Sequence, residues 1–173
     1  MAIYEFEGKR PTIGNTSFVP ESADIVGDVT IGEACFIGMG VRIRGDYGTI
    51  VIGDRSSVQE NAVIHARDGG RTVVGSYVQL GHGSILHNCT VKDHAVVGIG
   101  AILGDYSVVG DWAIIGEGAL VRGYIPDGAI AVGIPAKVIG QVTDRHKEEW
   151  QFYKDLYADL ASRRYPAGLR RIG

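Results

Sequence analysis

The stretch "VKDHAVVGIGAILGDYSVVGDWAIIGEGALV", Val91 to Val121, repeats itself every six residues. Val91, Val97, Leu103, Val109, Ile115 and Val121 open successive hexads. Gly98, Gly104, Gly110 and Gly116 each follow an opening residue directly, and Ala101, Ala113 and Ala119 stand four places after one. Six residues are too few for a helical repeat but enough for one short strand and a turn. Val and Ile favour the strand, and Gly permits the close backbone of a corner.

The same frame extends backwards through Val74, Leu80 and Leu86, then through Ile52, Val58 and Ile64 across a four-residue insertion. After three further inserted residues it continues to Ile43, Ile37, Ile31, Ile25, Val19 and Ile13. Eighteen hexads result, every one opening on an aliphatic residue. A repeat this strict means a solenoid, with the aliphatic residues stacked inside as ladders. The pattern resembles the hexapeptide-repeat proteins, whose hexads form triangular coils of a left-handed parallel β-helix. That resemblance implies an all-β fold of about six coils over residues 1–140.

The pattern stops after "AVGIPAKVIG", Ala131 to Gly140. Residues 141–173 are expected to form a C-terminal helix packed on the solenoid. Thr143 is its N-cap, Trp150, Tyr153, Leu156, Tyr157 and Leu160 form one apolar stripe, and Pro166 closes it.

Composition narrows the class. The 173 residues are 45% hydrophobic, sufficient for one core, and the net charge of -3 comes with no basic run. Nucleic acid is therefore not an expected partner. The opening "MAIYEFEGKRP" lacks the apolar run of a signal peptide, and no segment is long and apolar enough for a membrane span. Two cysteines, Cys35 and Cys89, suit a reduced, cytoplasmic setting. Twenty-six glycines and five prolines make about 18% of the chain, against roughly 12% in average usage.

Three of the five histidines fall between Val63 and Cys89. His65 and His87 are second in hexads three apart, so they share a column on adjacent coils, roughly 4.8 Å apart. Two imidazoles stacked in this way can converge on one metal ion. His82 belongs to a neighbouring face and points around a corner, so it joins the other two only from a second subunit. A homotrimer around a threefold axis supplies it at each interface. Arg44 lies one coil below His65 in the same column, and Gln59 shares the face of His82.

"IRGDYG", "VQENAVIH" and "LGHGSILHNC" together resemble the γ-class carbonic anhydrases, with their Arg-Gly-Asp, a Gln before the first His, and Gly-His-Gly before Leu-His. The resemblance implies metal ligation by His65, His82 and His87, with zinc the first choice and iron(II) or cobalt(II) possible, and hydration of carbon dioxide to bicarbonate. It also implies that Gln59 bonds the metal-bound hydroxide, that Tyr157 reaches the site, and that Arg44 and Asp46 support the trimer as an ion pair. The chain departs from that family at Tyr47, at Ser57 and in the short "ARDGG" after His65, where an acidic proton shuttle is missing, so slow turnover is expected. A metal-dependent thioester hydrolase, a near-inactive homologue of the same fold, and a coenzyme A-dependent hexapeptide acyltransferase with a single catalytic His are the alternatives.

Overall fold

The computed structural model describes residues 2–173. Its strands stack in parallel register, one coil above another, on three faces. On the first face Val63–His65 pairs with Ile85–His87, which pairs with Ile102–Leu103 and then with Leu120–Val121. Below them lie the long strands Asp24–Ile31 and Arg42–Ile52, which run on into the second face. There Arg71–Val74, Thr90–Val91, Val108–Val109 and Tyr124–Ile125 continue the stack. The third face is a separate seven-stranded sheet running from Phe36–Ile37 to Lys137–Gln141, the last strand antiparallel.

The hexad frame is visible in the core. Ile25, Ile43, Ile64, Leu86, Leu103 and Val121 form one vertical ladder, each at most 1% exposed. Burying each such side chain contributes about 1.5–3 kcal/mol, which is why an aliphatic residue recurs there. Gly after the opening residue is a matter of space: a Cβ on Gly98 would stand 2.6 Å from the backbone nitrogen of Glu117 in the next coil.

The solenoid has about seven turns, not six. Ala2–Tyr4, which lies outside the hexad pattern, adds a parallel strand beside Asp24–Ile31. Its residues are half-buried or exposed, so no aliphatic ladder marks it.

Helix α1, Asp144–Asp159, starts at Thr143, whose hydroxyl accepts from the His146 backbone N–H while the His146 ring accepts from the Thr143 N–H. A five-residue π-helical stretch, Leu160–Arg164, and a short helix, Tyr165–Gly168, follow. Pro166 thus sits just past the junction of the π-helical stretch and the last helix, inside a continuous helical segment, and does not end it. Tyr165 and Tyr157 clasp Phe36, with ring centroids 5.6 and 5.1 Å from it, and this fixes the helical segment along the third face. No helix among the described residues is long and apolar enough to cross a membrane.

Candidate functional site

The expected site residues gather at two places on different faces. On the first face, parallel pairing sets Arg44, His65 and His87 in one column. The two imidazole rings are 5.2 Å apart between centroids. Asp46 holds this column together: its carboxylate takes a bond from Arg44 Nη1 at 2.7 Å and lies 3.1 Å from His65 Nε2. Burial works against ionising Asp46, but the bonds from His65 and the Tyr47 N–H and the charge of Arg44 outweigh it and hold its carboxyl below the usual range. His87 Nδ1 contacts Asp105, which also takes a bond from Arg67 Nη1 at 2.9 Å. Each ring therefore has one nitrogen anchored and one free.

On the third face, Gln59, Gln79 and His82 share a groove of about 480 Å³ with Trp150, Tyr153 and Tyr157 of α1. The groove exists because α1 stands off the sheet as a wall. His82 follows the strand Gln79–Leu80, and its Nδ1 lies 2.7 Å from Glu60 Oε2, leaving Nε2 free. The imidazole side chain is 47% exposed, so a small molecule can reach it. Gln59 is 3% exposed. Burial, with the charge of Glu60 behind it, pushes the Tyr157 hydroxyl up. Tyr157 is accordingly a neutral hydrogen-bond donor near neutral pH.

Gln59, His82 and Tyr157 thus come together in one chain, as do Arg44, Asp46, His65 and His87, but the two sets do not meet. Glu60, Asp105, Trp150 and Tyr153 were not singled out in the sequence as site residues. Glu60 was findable, because it is third in its hexad directly below His82; Asp105 falls in "LGDY", where nothing but the fold pairs it with His87. Neither cysteine offers a nucleophile: burial pushes the Cys35 thiol to about 11 and the Cys89 thiol to about 12.

For a metal, one chain supplies two imidazoles with free nitrogens, and the donor chemistry is suitable. Among the described residues, however, no three His, Cys, Asp or Glu side chains gather to hold an ion. His82, the third expected ligand, is a face away.

No family model matches the chain. The carnitine operon protein CaiE of Salmonella newport is 37% identical over 165 residues, which cover 94% of this chain and 83% of that protein. A Bacillus cereus protein described as a candidate acetyltransferase superposes with a TM-score of 0.91 at 34% identity, over 93% of this chain and 95% of its own. A hexapeptide transferase family protein of Anaplasma phagocytophilum follows at 0.86 and 32%, over 92% and 96%. The expectation of a carbonic anhydrase, a zinc-dependent lyase acting on carbon dioxide, is corrected by these findings. Relatives matching nearly the whole chain carry transferase names. The placement of His82 on a different face from His65 and His87 is what the hexad frame implies and does not bear on the reaction. By this likeness the chain is a left-handed β-helix and belongs to the CaiE-like hexapeptide-repeat transferase family.

Proposed function

We propose that the protein is an acyltransferase that takes its acyl group from a coenzyme A thioester, with His82 as general base. The observation that carries this reading is the exposed His82, anchored at Nδ1 by Glu60 and open at Nε2 to an aromatic-walled groove. His82 Nε2 accepts the proton of an acceptor O–H or N–H as that atom attacks the thioester carbonyl carbon. The carbon–sulfur bond then breaks, and the leaving thiolate recovers the proton from His82. Positioned bases of this kind contribute about 10²–10⁴-fold. Gln59, in the same groove, offers amide N–H groups to the carbonyl oxygen as it gathers charge.

The test is thiol release from acetyl-coenzyme A with a panel of alcohol and amine acceptors, and mass analysis of the acylated product. Acceptor-dependent release that is lost in His82→Ala supports the reading. Release without any acceptor identifies a thioester hydrolase instead, and unchanged transfer in His82→Ala removes His82 from the chemistry.

The His65–His87 column supports a second reading, in which three copies assemble around a threefold axis and the partner's face brings a third imidazole to a shared divalent ion. Its support is the pair of carboxylate-anchored rings 5.2 Å apart. The two readings compete for His82 Nε2, since a nitrogen bound to an ion accepts no proton. Metal content and sedimentation of the purified protein decide between them: full transfer activity in chelator-treated, metal-free protein favours the base.

A further inference from the structure

The groove beside His82 has a charge pattern that the acyl-transfer reading does not use. Glu60, His82, Ile99 and Glu117 form one vertical column at the edge of the third face. The N–H groups of Gly83, Gly100 and Gly118 bond the carbonyls of Glu60, His82 and Ile99 in the coil below at 2.9, 2.9 and 2.8 Å. Glu117 therefore stands two coils from His82, roughly 10 Å at the strand spacing. Glu149 of α1 borders the same groove. Neither Glu117 nor Glu149 pairs with a cation among the described residues.

Three further features point the same way. No Lys or Arg lines the groove, so the phosphates of coenzyme A find no counter-charge there. The rings of Trp150 and Tyr153 line it, and aromatic faces attract cations. Gln79, only 9% exposed, also lines it, and its buried Oε1 has no donor among the described residues. An N–H-bearing ligand satisfies an acceptor of that kind.

We propose that the groove takes alkyl diamines as acyl acceptors, one nitrogen at His82 and the other, as ammonium, at the Glu117–Glu149 end. The proposal rests on the acyl-transfer reading for its chemistry but not for its binding. The nitrogen at His82 sheds one proton to solvent and gives a second to Nε2 as its electron pair forms the carbon–nitrogen bond. The carbon–sulfur bond breaks, and the thiolate takes that proton from His82. The far ammonium keeps its charge throughout.

Calorimetric titration with hexamethylenediamine, hexylamine and hexanediol tests the binding without any thioester. The diamine is expected to bind at least about tenfold tighter than the diol, with hexylamine between them, and the preference should shrink with salt. The double variant Glu117→Gln and Glu149→Gln, both exposed positions, should keep its melting temperature and lose most of that preference. Equal affinity for diamine and diol overturns the proposal, as does a preference that survives in the double variant. Binding that follows the expected order while acetyl-coenzyme A acylates neither the diamine nor any other acceptor leaves the cation site standing and overturns the acyl-transfer reading. Acylation of neutral acceptors alone keeps the acyl-transfer reading and overturns diamines as its acceptors.

Discussion

His82 and the His65–His87 pair use the same device, an imidazole anchored by a carboxylate, in two different settings. On the third face α1 rises beside the sheet and turns a flat ladder into a groove of about 480 Å³. The first face carries a concavity of similar volume, about 480 Å³, lined by Arg44, His65 and His87 with Val63 and Ile85, but strands alone build it and no helix residue lines it. Its outward column of Val63, Ile85 and Ile102 remains 39–41% exposed, with the paired histidines two residues along from Val63 and Ile85. A groove walled by aromatic rings suits a small molecule; a shallower hollow rimmed by exposed Val63 and Ile85 suits another protein surface. On the acyl-transfer reading, the chemistry falls where the helix breaks the repeat.

The largest expected effect breaks the comparison directly. His82→Ala should lower acyl transfer by about 10²–10⁴-fold, the contribution of a positioned base. His65→Ala, on the unwalled face, should change single-turnover transfer by less than about threefold. Equal losses in the two variants would mean that the two faces act as one site.

The seam under α1 provides the next test, because it decides whether the wall stays in place. Lys154 is 1% exposed, and its ammonium bonds the His94 carbonyl and lies 4.5 Å from the centre of the Trp112 ring. Burial brings its pKa down from 10.5 to about 8. Between those values the native chain binds fewer protons than the unfolded one. The Lys154 contribution to the unfolding free energy should therefore rise with pH across that window, by no more than about 3 kcal/mol. The raised thiols of Cys35 and Cys89 slope the other way in the same window. Urea unfolding at pH 8 and pH 10 should thus show a change with pH that is more positive in the native sequence than in Lys154→Met. The same slope in both would remove Lys154 from the account.

How much of this was legible depends on whether the signal lay in the period. The register of His65 against His87 and Arg44 followed from counting hexads, because a six-residue repeat fixes which residues stack. The seam did not follow from counting. The apolar stripe through Trp150, Tyr153 and Leu160 pointed to one buried face of α1, but the buried residues of the helical segment are Lys154, Ala158 and Ala161. Trp150 and Tyr153 instead line the groove, with Tyr153 41% exposed. His94 reads as a solvated turn residue in the sequence. In the fold, Tyr77, His94 and Trp112 occupy successive left-handed corners and stack as three rings, 4.9 and 4.4 Å between centroids. The resemblance to γ-class carbonic anhydrases failed at a different level. It located a His65–His87 pair and a separate His82–Gln59 pair, each of which does come together, but the motif specifies positions on a fold and not the reaction carried out there.

The smallest expected effect sharpens what the first face is for. Arg44 and Asp46 make a 2.7 Å ion pair, but the Arg44 side chain is 53% exposed. Exposed pairs contribute about 0–1 kcal/mol, so Arg44→Ala should leave the urea midpoint of a single chain nearly unchanged. In an assembled trimer the same guanidinium would be covered, and removing one partner of a covered pair leaves the other charge buried and costs more. Sedimentation should then show weaker association in Arg44→Ala while the helical and strand signals of each chain stay intact. A variant that remains fully assembled and loses transfer as His82→Ala does would give Arg44 a direct part in the reaction. The distinction between a chemical face and an assembling face would then have to be abandoned.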